Sequence, residues 1–89
     1  MTTLEMIAFS DVVTDAYTVH ELSVLLLGLD RNLHDFTSPN ASFSTQVREI
    51  VQVANRTGWI SQLVLNVIKD RPNLPSVKDF LTKYPHWNQ

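Results

Sequence analysis

The chain has 89 residues, 44% of them hydrophobic, and seven Lys and Arg against nine Asp and Glu give a formal net charge of −2. One domain fills that length and leaves no room for a deep substrate cleft beside a core, while the apolar fraction is that of a globular chain. With no cysteine, disulfides, thiol catalysis and thiolate metal sites are excluded, which suits a reducing, cytoplasmic setting.

No run approaches the roughly 18 apolar residues of a membrane span. Met1 to Asp15 carry acids and no Lys or Arg, unlike a signal or transit peptide. Neither a membrane nor, at this charge, nucleic acid is an expected partner.

Six helices can be read in chain order. Thr2 and Glu5 have the spacing of a capping box, and Met6, Phe9, Val13, Ala16 and Tyr17 then share one face, with Val12 at its edge. Leu4 and Ile7 point elsewhere. Thr18 and Glu21 form a second box, followed by Leu22, Leu25, Leu26 and Leu29 at buried-stripe spacing. Val24 and Leu27 add apolar surface on its other sides, the pattern of a central helix, and Gly28 is placed for a left-handed end. Asp30 is positioned to cap a short third helix bearing Leu33 and Phe36, closed by the turn residues Thr37, Ser38, Pro39 and Asn40.

Ser42 or Ser44 opens the fourth helix, with Phe43, Val47, Ile50, Val51 and Ala54 on its core face. Arg56 suits its last turn and Gly58 its end. The fifth carries Ile60, Leu63, Val64, Val67 and Ile68, with Lys69 and Arg71 before the stop at Pro72. Pro75 and Ser76 begin the sixth, where Asp79 completes a further box and Val77, Phe80, Leu81 and Tyr84 face inward. These elements predict an all-α, compact six-helix bundle over residues 1–84, with 85–89 as a tail or the start of a linker.

The residues hold no recognisable catalytic or cofactor chemistry. His20, His34 and His86 have no metal-ligand spacing, and two glycines cannot build a phosphate loop. Neither a serine nucleophile elbow nor an HExxH motif is present. Asp11 and Asp15, one helical turn apart, read as a solubilising face. The expectation is a non-enzyme that uses no metal and no cofactor. The helix, glycine turn and helix of Val47–Ile68 have the order of a DNA-binding helix-turn-helix. Its second helix, however, begins Trp59-Ile60-Ser61-Gln62-Leu63 and holds its bases at the wrong end for reading a groove. A DNA-binding bundle or a plain structural domain is the alternative to an interaction module.

Leu29-Asp30-Arg31-Asn32-Leu33, the run VREIVQVANRTGWISQL from Val47 to Leu63, and Asp70-Arg71-Pro72-Asn73 are similar to the bacterial effector-associated domain of the death-like superfamily. The likeness covers roughly residues 4–82; Val53 and the loop through Pro39 depart from the usual pattern. It implies a death-like fold and an adaptor function in bacterial conflict or cell-death-like signalling. Such domains pair with a like domain on a partner, or with themselves, and so recruit an attached effector such as a protease or a TIR-like enzyme.

Charge is unevenly spread, with six acids and one base in residues 1–40 against six bases and three acids in 41–89. Opposite ends can therefore attract in a head-to-tail assembly. An acidic face of Glu5, Asp11, Asp15 and Glu21 is expected to meet a basic face of Arg48, Arg56, Lys69 and Arg71. Single exposed pairs contribute only about 0–1 kcal/mol, so apolar anchors are needed, and Ile7, Val53, Trp59 and Leu65 fall off the core stripes. Asp30 and Arg31 are expected to pair and pin the third helix.

Overall fold

A computed structural model describes residues 1–87. Five α-helices carry the fold: α1 (Thr3–Ala16), α2 (Val19–Leu27), α3 (Phe43–Thr57), α4 (Ile60–Asp70) and α5 (Pro75–Lys83). Two single 3-10 turns, Leu33–Asp35 and Pro85–Trp87, complete it. There is no strand among the described residues.

Local chemistry sets most boundaries. In both predicted boxes the threonine hydroxyl accepts from the N–H of the glutamate, and the carboxylate accepts from the threonine N–H. Two orphan donors are thereby satisfied at the start of α1 and of α2. Ser42 caps α3 by accepting from Thr45 N–H. Gly58 ends α3 at φ 90°, where its N–H and that of Trp59 both return to the Ala54 carbonyl. Among the described residues beyond its chain neighbours, no atom lies within 4 Å of where a Cβ on Gly58 would sit, so only the backbone objects to a side chain there. Gly58→Ala is expected to cost about 1–2 kcal/mol, read as a lower urea midpoint at unchanged slope.

Four expectations are corrected. The third of the six helices is only the turn Leu33–Asp35, so the α-helices among the described residues number five. Pro39 and the bonds from Asn40 and Ala41 back to Ser38 leave it no room to lengthen. Its cap is Asn32, which accepts from His34 N–H, because Asp30 is occupied in ending α2. Asp30, not Gly28, takes the left-handed position, at φ 58° against −64°, and Arg31 N–H then reaches the Leu26 carbonyl at 2.9 Å. A short polar residue such as Asp tolerates that conformation. α5 starts with Pro75 at its first turn but has no side-chain cap; Leu74 holds the cap position.

The core is a single cluster. Phe9, Val12 and Val13 of α1, with Tyr17 just past its end, meet Val47, Ile50, Val51 and Ala54 of α3, Ile60, Leu63, Val64 and Val67 of α4, and Val77 and Phe80 of α5. α1 packs between α3 and α5, and α4 packs on α3. The stripes read from periodicity are these faces. α2 departs from its expected central place. Leu22 and Leu26 are buried, but Val19, Val24 and Leu27 are 47%, 55% and 61% exposed. Its all-round apolar character is a surface property and not a sign of burial on every side.

Candidate functional site

Three side-chain clusters and three grooves among the described residues are places where this bundle could bind something. The first cluster centres on Glu5, a carboxylate buried to 8% exposure. Its Oε1 accepts from Thr2 N–H, while its Oε2 accepts from Trp87 Nε1 at 2.9 Å and lies 2.9 Å from His86 Nε2. An ionised carboxylate only accepts, so Nε2 is the protonated nitrogen of that pair. The Trp87 N–H above all, with Thr2 and His86, outweighs burial and holds the carboxyl at about 2. Met1 is tied in beside it, since its amino group donates to Asn55 Oδ1 at 2.9 Å.

The second cluster joins α1, α2 and α4. Tyr17 donates its hydroxyl to Asp70 Oδ2 at 2.8 Å, and the Arg71 guanidinium lies 5.0 Å over the Tyr17 ring. Arg71 also donates to Glu21 Oε2 at 2.6 Å. Burial first, then the Asp70 carboxylate, raises the Tyr17 hydroxyl. Glu21 is lowered by the Thr18 N–H and then by Arg71. Tyr17→Phe is expected to cost about 1 kcal/mol, the usual worth of one such bond, measured by thermal melting.

The third cluster brings distant motifs together. The Arg31 guanidinium lies 4.5 Å over the Trp59 ring, and Phe36 packs on that ring with centroids 5.5 Å apart. Arg31 is thus fastened to Trp59; no Asp30–Arg31 ion pair is present among the described residues.

The largest of these three grooves, about 690 Å³, runs between α1 and α5 over Ala8, Val12 and Phe80, with Asp11 on the α1 side and Asp79 on the α5 side. A second, about 380 Å³, lies between α2 and α4 above the Tyr17 cluster. A small one, about 70 Å³, brings Arg48 beside Ile7. Among the described residues no group of three His, Asp or Glu is gathered as a metal site, and no helix is long and apolar enough to cross a membrane.

A family model described as effector-associated domain 1 matches residues 1–85. The chain belongs to that family. No curated protein and no solved structure matches it.

The LDRNL and Gly58-Trp59 segments that resemble effector-associated domains meet in the Arg31–Trp59 stack, so these motifs hold the loop after α2 onto the α3–α4 join. In this effector-associated domain the expected acidic residues divide. Asp11 and Asp15 are exposed on α1, whereas Glu5 is inside and Glu21 is engaged with Arg71. Two residues expected on opposite faces of different molecules, Glu21 and Arg71, therefore neutralise each other within one. Arg48, Arg56 and Lys69 are exposed, but Arg48 flanks α1 and does not form a pole opposite it. Of the expected anchors, Ile7 and Leu65 are 48% and 39% exposed, Val53 is half-buried, and Trp59 is interior at 4%. Leu4, Val19, Val24 and Leu27 are large exposed side chains that the anchor set omitted; for Leu4 the off-stripe position was the signal.

The expected tail also divides. Pro85–Trp87 turn back onto the bundle, with Trp87 packed against the core. Asn88 and Gln89 lie outside the described residues. The α3–α4 join does have helix-turn-helix order, but the exposed positions at the start of α4 are Ser61 and Gln62, with no base before Lys69.

Proposed function

We propose that this effector-associated domain is a non-catalytic adaptor, which recruits an effector enzyme by associating with a like, death-like domain on a signalling partner or on itself. The setting is cytoplasmic bacterial conflict or cell-death-like signalling, and any chemistry belongs to the effector, a protease or TIR-like enzyme. Family membership supports the reading, since effector-associated domains take their description from what they accompany.

The observation that carries it is the exposure of Leu4, Ile7, Val24, Leu27 and Leu65 on a chain whose core is already filled. Leu4 with Ile7 on α1, and Val24 with Leu27 on α2, stand three residues apart and so adjoin on their helices. Adjoining apolar side chains left in water suit a surface that another protein covers. Exposed acids on α1 and exposed bases on α3 and α4 add the charge that gives such contacts specificity.

The test is co-purification and calorimetric titration of the domain with other effector-associated domains from the same genome, at low and high salt. Binding that weakens with salt, and that is lost in Arg48→Glu or Arg56→Glu at unchanged helicity, is the expected result. A domain that binds none of its like at either salt would sink the adaptor reading.

A further inference from the structure

Within that association reading, on which this inference rests, two surfaces of the chain complement each other. On α1 and α5 the groove has an apolar floor of Ala8, Val12 and Phe80, between the carboxylates of Asp11 and Asp79. Neither carboxylate has an ion-pair partner among the described residues. Lys83 on the α5 lip is the groove's single cation, and Asp15 follows Asp11 one turn on. Residues 1–30 contain no Lys or Arg, so nothing on α1 itself offsets these acids.

The outer face of α4 has the opposite chemistry. Ser61, Leu65 and Lys69 stand one turn apart on one exposed stripe, which puts an apolar side chain immediately ahead of a cation. The only acid of α4, Asp70, is held away by its bond from Tyr17. The stripe is convex and the groove concave. They belong to different elements, since α1 packs on α3 and α5 while α4 packs on α3, so one molecule offers both at once.

We propose that a second copy of this chain is the occupant of the groove: the α4 ridge of one copy lies in the α1–α5 groove of the next. Leu65 rests on Val12 and Phe80, and Lys69 reaches between Asp11 and Asp79. The exposed Leu4, one turn before Ala8 on α1, extends the apolar strip at the groove's end. Because ridge and groove are different surfaces, the contact is heterologous and leaves a free ridge at one end and a free groove at the other. Assembly then grows in a line and does not stop at a pair.

Mixing two broken copies tests this. Leu65→Asp/Lys69→Glu removes the ridge and keeps the groove; Asp11→Lys/Asp79→Lys removes the groove and keeps the ridge. All four positions are exposed, and circular dichroism checks that each variant is folded. Light scattering with chromatography is expected to show wild type growing with concentration and shrinking at high salt. Each variant alone should be monomeric, with at least a tenfold weaker association constant. An equimolar mixture should form a heterodimer and nothing larger, through its one intact ridge and one intact groove. Variants that assemble like wild type, or a mixture that stays monomeric, would place the contact elsewhere and overturn the proposal. A wild type that is monomeric throughout would also overturn it, while leaving the adaptor reading to the separate titration with like domains.

Discussion

Trp59→Ala is expected to cost about 3–5 kcal/mol, enough to leave a domain of this size largely unfolded at ambient temperature. Trp59 is 4% exposed, carries Arg31 over its ring and Phe36 tilted against it, and sits where α3 turns into α4. Truncation empties a large volume, frees the loop after α2 and leaves Arg31 half-buried over nothing. Trp59→Phe is a sharper test of cause. The indole N–H has no hydrogen-bond partner among the described residues, so its removal releases an unsatisfied donor while a ring remains for Arg31 and Phe36. The phenylalanine variant should therefore recover most of the lost stability in urea titrations followed by circular dichroism. If it is as damaged as the alanine variant, the stack is not what Trp59 contributes.

Acid should weaken the domain through Glu5. Its folded carboxyl sits at about 2 against an ordinary 4.5. A lowered folded value means that the stabilisation is fully present above about 4.5 and is lost as the pH falls toward 2. The linkage is worth up to ~3 kcal/mol at neutral pH. Glu5→Gln offers one oxygen where Thr2, Trp87 and His86 require two, and turns an amide toward donors. At pH 7 it is expected to lose about 1.5–3 kcal/mol, as for hydrogen bonds to a charged group. The informative quantity is the gap between wild type and Glu5→Gln, which should close as the pH is lowered from 5 to 2. A gap that is constant across that range would mean that Glu5 acts by shape and not by charge.

What could be read in the sequence is what is local. Thr2 with Glu5, Thr18 with Glu21, and Gly58 each declare a helix end within four residues, and the core faces of α1, α3, α4 and α5 follow from 3.6-residue periodicity. The same reasoning failed where two local options competed. Gly28 and Asp30 both suit the end of α2, and the choice of Asp30 took from the next element the cap that Asn32 then supplied. It failed again on α2, because periodicity ranks hydrophobicity without saying whether a neighbour is there to cover it.

The roles of charged residues were hidden for a different reason. Glu5 meets Trp87 and Glu21 meets Arg71 at separations of 82 and 50 residues, and no spacing rule spans such distances. Asp11, Asp15 and Lys69 are exposed and form no ion pair among the described residues. Leu4 was visible as a leucine pointing off the core face, but periodicity alone does not say whether a neighbour covers it.

The Glu5 carboxylate has a mechanical consequence. Thr2 and Trp87, near opposite ends of the described chain, hydrogen-bond to the same side chain. Tension applied between the two ends is therefore carried first by a few short bonds at one point, in an opening direction, while α3 and α4 bear almost none of it. Under load the domain should open at this point, peeling the Pro85–Trp87 turn and the first turn of α1 while the remaining helices stay packed.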